Sequence, residues 1–163
     1  MNYFLFDTSA LAKRYVPEVG TPLINHLLNA VSKQRMFVLV LAFGELVSFL
    51  VRKKNSGQIS KMAYLQALAD SRSEMTSMVI QSVSDDLVWK SLSLIEQYSI
   101  NATDAIILRC ALNIADTLRV LGHDLVLVTS DIRLANSAQS TKLVVWNPEK
   151  DDQFYLEELI SIQ

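Results

Sequence analysis

A chain of 163 residues is long enough for one full hydrophobic core, and half of it is apolar, with a mean hydropathy of +0.23. The net charge of −2 leaves no overall basic field of the kind that advertises stoichiometric nucleic-acid binding, though an enzyme holding its substrate in one small groove stays open. No apolar run reaches the length of a membrane span, no basic-then-apolar leader opens the chain, and the one cysteine, Cys110, has no internal disulfide partner; residues 1–163 are expected to form a single domain in a reducing cytoplasm.

Residues 3–6 are an unbroken apolar run, suited to a strand covered on both faces. Asp7 follows at once, then Thr8 and Ser9, both good helix N-caps. Residues 9–15 read as a short helix broken by Pro17. Thr21 and Pro22 supply an N-cap and a proline at the first helical position, with Ile24, Leu27, Leu28 and Val31 recurring at helical spacing behind them. Residues 36–41 form a second buried-type strand. An amphipathic helix over 43–54 ends in Arg52-Lys53-Lys54, which suits the negative pole of its dipole, and Glu45 falls in its first turn.

After the turn at Asn55-Ser56-Gly57, residues 59–72 predict a helix with Met62, Leu65 and Leu68 on one side. Residues 75–83 contain a weaker strand. Ser84-Asp85-Asp86 caps a helix to about Tyr98, with Leu87, Val88, Leu94 and Ile95 inward. Asn101-Ala102-Thr103-Asp104 then opens a long helix in a pattern resembling a capping box. Its inward row is Ile107, Cys110, Ala111, Ile114 and Leu118, and Gly122 stops it. Residues 125–129 are the next strand, running into Ser130-Asp131. A short helix over 132–138, a last strand over 143–146 and a terminal helix over 151–162, carrying Phe154, Leu156, Leu159 and Ile160, complete the chain. Strands alternating with helices predict an α/β fold with three α/β/α layers around a central, mostly parallel five-stranded sheet.

In a parallel sheet the C-terminal ends of strands and the N-termini of the following helices share one edge, where open α/β folds bind ligands. Asp7 and Asp131 each follow a strand, while Glu45 and Asp104 each sit early in a helix, so four carboxylates converge on one cleft without a designed basic partner. Such a cluster repels itself and pushes protons onto its members; a divalent cation removes the conflict. All-oxygen ligation selects Mg²⁺ or Mn²⁺ over zinc, and neither His26 nor His123 falls near that edge. A hard cation beside an open cleft suits phosphodiester hydrolysis, with one ion, or two about 4 Å apart, activating water. Each acid also has a structural reading, as a helix cap or a complement to a helix dipole. Lys13, Arg14, Arg52, Lys53, Lys54 and Arg133 flank the cleft, where they either meet RNA phosphates or cover solvated helix faces. Ser9 stands where a haloacid-dehalogenase phosphatase needs its second Asp, and no GxGxxG or P-loop supports nucleotide binding.

The segments FDTSALAKRYVPE, LAFGELVSFLVRK, EQYSINATDAIILRCAL and LVLVTSDIRLANSA, with VVWNP behind the last, resemble a PIN domain of the VapC type, the ribonuclease toxin of bacterial toxin–antitoxin pairs. The likeness runs from end to end, and its first, third and fourth segments are specific in combination. It implies that Asp7, Glu45, Asp104 and Asp131 are the catalytic, metal-binding set, with Mg²⁺ or Mn²⁺ as cofactor and RNA as substrate. It implies that Thr8, Ser9, Thr129 and Ser130 supply hydroxyls that orient the acids, and that Lys13 is the basic position after the first motif. A cognate antitoxin is the implied partner and a homodimer the implied assembly. An RNA-processing nuclease without an antitoxin, or a non-catalytic binding module on the same fold, are the alternatives. The family often carries Ser or Thr shortly before its second acid; here Leu41, Ala42 and Phe43 leave the Glu45 helix without that cap.

Overall fold

The computed structural model describes residues 1–161. Strands β1 (Asn2–Phe6), β2 (Met36–Leu39), β3 (Val79–Gln81), β4 (Asp124–Val128) and β5 (Val144–Trp146) form one sheet in the order β3-β2-β1-β4-β5, every neighbouring pair parallel. The helices are α1 (Thr8–Leu11), α2 (Thr21–Ala30), α3 (Leu41–Asn55), α4 (Lys61–Thr76), α5 (Asp85–Tyr98), α6 (Ala102–Val120), α7 (Ile132–Ser140) and α8 (Gln153–Ser161). Ile162, the expected end of the last helix, lies outside the described residues.

Successive strand residues face opposite sides of the sheet, so an all-apolar strand feeds two cores at once. Phe4, Phe6, Met36, Val38, Val126 and Val128 pack on one side against α1 to α4 and α8. Leu5, Leu39, Leu125 and Leu127 pack on the other against α5, α6 and α7. From β1 the chain moves outward through β2 to β3, then crosses to β4 on the far side of β1. The C-terminal edge between β1 and β4 is therefore the switch point, where such folds form a crevice. Phe6 stands opposite Val128 there, so the residues that follow both strands leave the sheet side by side.

Several local expectations give way to tertiary packing. Met62 and Leu65 are 74% and 48% exposed, and the buried row of α4 is Ala67, Ser71 and Met75 instead. Small residues at the contact let two helix backbones approach closely, and α4 turns that narrow face inward. Its C-terminal turn also absorbs Met75 and Thr76, leaving only Val79–Gln81 as strand. Thr21 is the first residue of α2 rather than its cap, which is Gly20 at φ 89°. The Thr21 hydroxyl points back instead, donating to Lys13 O and accepting from Glu18 N, each at 2.9 Å. Phe154 is exposed on α8 while Leu156 and Leu159 are buried. No helix among the described residues is long and apolar enough to cross a membrane.

Candidate active site

Asp7 is the first residue beyond β1. Its N–H still donates to Val128 O at 2.9 Å, continuing the ladder, before the backbone turns into α1. The carboxylate caps that helix, accepting from Ser9 N at 3.3 Å. The same Oδ2 accepts from the Ser9 hydroxyl and from Thr129 Oγ1, the latter at 2.9 Å. Oδ1 takes no hydrogen bond among the described residues and is left for an outside partner. Burial pushes the Asp7 pKa up, and the hydroxyl and amide bonds from Ser9 and Thr129 pull against that rise. The cap reading of Asp7 holds through Oδ2, which accepts from Ser9 N.

Glu45 arrives differently. α3 begins at Leu41, two residues earlier than the sequence pattern suggests, directly from Val40 and with no side-chain cap. Val40 N donates to Gln81 O at 2.9 Å, so the β2–β3 ladder runs on to the residue that precedes the helix. Glu45 consequently lies beyond the first turn of its helix, where the helix dipole contributes little. Thr8 Oγ1 fixes it by donating to Oε2 at 2.7 Å. Burial, together with the charge of Asp7, raises its pKa.

Asp104 lies in the first turn of α6, whose cap is Asn101. Asp104 N donates to Asn101 Oδ1 at 2.9 Å, and Asn101 Nδ2 donates to Asp104 Oδ2 at 2.7 Å. This differs from the expected capping box: the acid reaches the cap's side chain rather than its backbone N–H. The Asp104 pKa is pushed up to about 7, first by burial and then by the charges of Asp131, Asp7 and Glu45, with Arg133 pulling the other way. Asp131 caps α7 through Oδ1, accepting from Arg133 N at 2.8 Å and Leu134 N at 3.0 Å. Its own N–H donates to Thr129 Oγ1 at 3.0 Å. Thr129 therefore ties Asp7 and Asp131 together, and Ser9 Oγ accepts from Ser130 N at 2.9 Å to close the link between the two strand ends. The Ser130 hydroxyl is buried without a hydrogen-bond partner among the described residues.

All four acids line one pocket of about 440 Å³, together with Ser9, Ser130, Phe49 and Arg52. None of the four enters an ion pair among the described residues. No group of three or more Asp, Glu, His or Cys side chains among the described residues stands close enough together to hold a metal ion by itself. The donor set fits a hard divalent cation, such as Mg²⁺, that completes its shell with water and substrate oxygens.

The expected cations divide. Arg52 lines the pocket, and Arg133 opens α7 beside Asp104 and Asp131. Lys13 is buried, its ammonium paired with Glu149 and, at 3.5 Å, with Glu18. Arg14 leaves the pocket altogether, spending its guanidinium on Glu74 at 3.2 Å and Asn25 at 2.9 Å. Sequence reasoning missed Glu18 and Glu149, which also line the pocket. Each follows a proline in a loop, Pro17 and Pro148, and the only signal was that both loops come near the same sheet edge.

Fold and pocket together define an α/β protein with an acidic crevice at the switch point of an all-parallel sheet. The chain belongs to the PIN-domain family, whose profile matches residues 4–139. No curated protein matches the chain. Among solved structures, FitAcB from Neisseria gonorrhoeae superposes with a TM-score of 0.65 at 13% identity, covering 91% of this chain and 99% of that one. A toxin–antitoxin complex from Klebsiella pneumoniae gives 0.56 at 20% identity, with coverage of 88% and 96%. DNA-bound VapBC from Salmonella typhimurium gives 0.57 at 15% identity, with coverage of 91% and 99%. Likeness at these identities speaks for the fold.

Proposed function

We propose that this protein is a metal-dependent endoribonuclease that hydrolyses RNA phosphodiester bonds, working as one domain and as the toxin of a type II toxin–antitoxin pair. The observation that carries the reading is the one pocket lined by Asp7, Glu45, Asp104 and Asp131, where burial first and the charges of the other three acids second raise the Asp104 pKa. Membership of a family made up largely of nucleases supports the reading. So does structural likeness to a toxin–antitoxin complex and to VapBC.

Asp7 and Asp104 would hold the principal ion, Mg²⁺ or Mn²⁺, and Glu45 and Asp131 would complete the site. When bound, the ion supplies an acidified water and charge neutralisation at phosphorus. Ser9 and Thr129 hold Asp7 in orientation, Thr8 holds Glu45, and the Ser130 hydroxyl is free to turn toward the pocket. Arg52 and Arg133 meet the RNA backbone on either side of the acids. Exposed apolar residues such as Met62, Leu65 and Trp89 supply surface for a homodimer and for a cognate antitoxin. A cytoplasmic location goes with this role.

The test is cleavage of single-stranded RNA with Mn²⁺ present and absent, for the unmodified protein and for Asp7→Asn and Asp104→Asn. Full activity in either folded variant overturns the proposal. One observation favours a second reading, a non-catalytic PIN-fold module: Asp7 and Asp131 both complete helix caps. Caps alone leave the melting temperature indifferent to Mn²⁺, whereas a metal site raises it by mass action.

A further inference from the structure

Two buried side-chain polar atoms lack a hydrogen-bond partner among the described residues, Trp146 Nε1 and Ser130 Oγ. Trp146 is sealed inside the core at 0% exposure, where no ligand enters. Ser130 is placed differently, because it lines the pocket of the four acids. A buried hydroxyl left unpaired is costly, and in a native fold it calls for a reason. The hydroxyls around it are all spent on carboxylates. Thr8 donates to Glu45 Oε2 at 2.7 Å, Thr129 donates to Asp7 Oδ2 at 2.9 Å, and Ser9 donates to that same Asp7 oxygen. Ser130 shares its pocket with the same acids, yet its hydroxyl is bonded to none of them.

The backbone at this position is fixed while the side chain is not. Thr129 N donates to Trp146 O at 3.2 Å, Ser130 N to Ser9 Oγ at 2.9 Å, and Asp131 N to Thr129 Oγ1 at 3.0 Å, so successive amides are tied. What remains free is χ1, with its staggered wells. No hydrogen bond holds Oγ in its present well, so leaving that well breaks none. A phosphodiester brings what the hydroxyl lacks. Its non-bridging oxygens are acceptors, and they gain negative charge as water adds to phosphorus. The carboxylates have no proton to donate to them when ionised, and Lys13, which also lines the pocket, is spent on Glu149 and Glu18. Resting on the nuclease reading above, we propose that Ser130 is a catalytic residue. When an RNA phosphodiester enters, its hydroxyl turns about χ1 into the pocket and donates to one non-bridging oxygen of the scissile phosphate. A donor satisfied only in the complex, and most strongly where charge builds on oxygen, lowers the barrier to hydrolysis.

The experiment uses the intact protein with Mn²⁺ on a single-stranded RNA whose cleavage position has been mapped by sequencing the product ends. Unmodified protein and Ser130→Ala are compared on the all-oxygen RNA and on its two phosphorothioate diastereomers, each with sulfur replacing one non-bridging oxygen at that position. Sulfur accepts hydrogen bonds weakly. The expected result is that Ser130→Ala lowers kcat/KM on the all-oxygen RNA by about 10-fold or more. On one diastereomer the same substitution costs less than about 3-fold, because the acceptor is already gone, while the other diastereomer shows the full loss. An equal loss on every substrate marks a general structural effect and overturns the inference, as does no loss at all. Stability gives a readout that does not depend on cleavage. The metal-free urea midpoint of Ser130→Ala matches or exceeds that of the unmodified protein, since an unpaired hydroxyl has no bond to lose. A lower midpoint shows a hydroxyl already paired in the free protein, through an ordered water, and overturns the inference. Mn²⁺ raises the melting temperature of both proteins equally; a gain lost in Ser130→Ala shows that the hydroxyl serves the ion and not the phosphate, and overturns it too. Unmodified protein that cuts no RNA defeats the nuclease reading instead. Calorimetric titration with the same RNA then decides the role of Ser130 alone: weaker binding by Ser130→Ala sustains it, and equal affinities or no binding overturn it.

Discussion

At one end of the pocket Asp7, Glu45, Asp104 and Asp131 stand in each other's field with no cation paired to them among the described residues; at the other, Glu18 and Glu149 share Lys13. The consequences run in opposite directions. Burial works to raise both Asp104 and Glu18, yet Asp104 ends near 7, while Lys53 and Lys13 hold Glu18 below the ordinary glutamate range. Residue type is the same at both ends and the companions differ. Carboxylates supplied with an internal cation form a finished structural cluster; carboxylates denied one are left to recruit a cation from outside.

The largest expected effect comes from breaking the unpaired end. Asp7→Asn and Asp104→Asn each cut the RNA cleavage rate by about 10³-fold or more while circular dichroism reports an intact fold, because the loss is of charge and not of shape. Breaking the paired end comes next and reads out in stability. Lys13→Met fills the same space but takes the partner from Glu149, while Glu18 keeps Lys53, and its urea midpoint falls. Supplying the missing cation sharpens the contrast. Mn²⁺ at about 100 times its dissociation constant stabilises the protein by about 2.7 kcal/mol. Thermal melts detect that gain, which disappears in Asp104→Asn and persists in Glu149→Gln.

The smallest effect is a pH dependence of the metal-free protein. Asp104 titrates near 7 when folded, against an ordinary value of 3.8, so between those values the folded state binds the extra proton. Stability therefore falls as pH rises from about 4 to about 7 and levels off above. The drop is about 1–2 kcal/mol after solvent screening at this partly open site. Urea midpoints in EDTA across that range check it, and Asp104→Asn flattens the slope.

Much of this was legible beforehand. Unbroken apolar runs at residues 3–6 and 125–128 report strands buried on both faces, and the structure gives each of them two cores. Asp7, Asp104 and Asp131 were readable because each directly follows or opens a regular element, so its edge of the sheet comes from local pattern alone. Glu45 was placed on the right element but in the wrong turn, since α3 starts from a strand end that needs no capping side chain. The α4 face was misread because Met62 and Leu65 outweigh Ala67 and Ser71 in hydrophobicity, although small residues decide how closely helices approach.

Local chemistry thus set the strand–helix alternation and the placing of three of the acids, because periodicity and capping act over a few residues. The fates of Lys13 and Arg14 were decided elsewhere. These chain neighbours point to different regions, one to Glu149, 136 positions away, and the other to Glu74, 60 positions away. Which charge is neutralised depends on which distant loops dock, here where Gly20 settles on Pro148, and that contact exists only once the sheet has brought both loops to its edge.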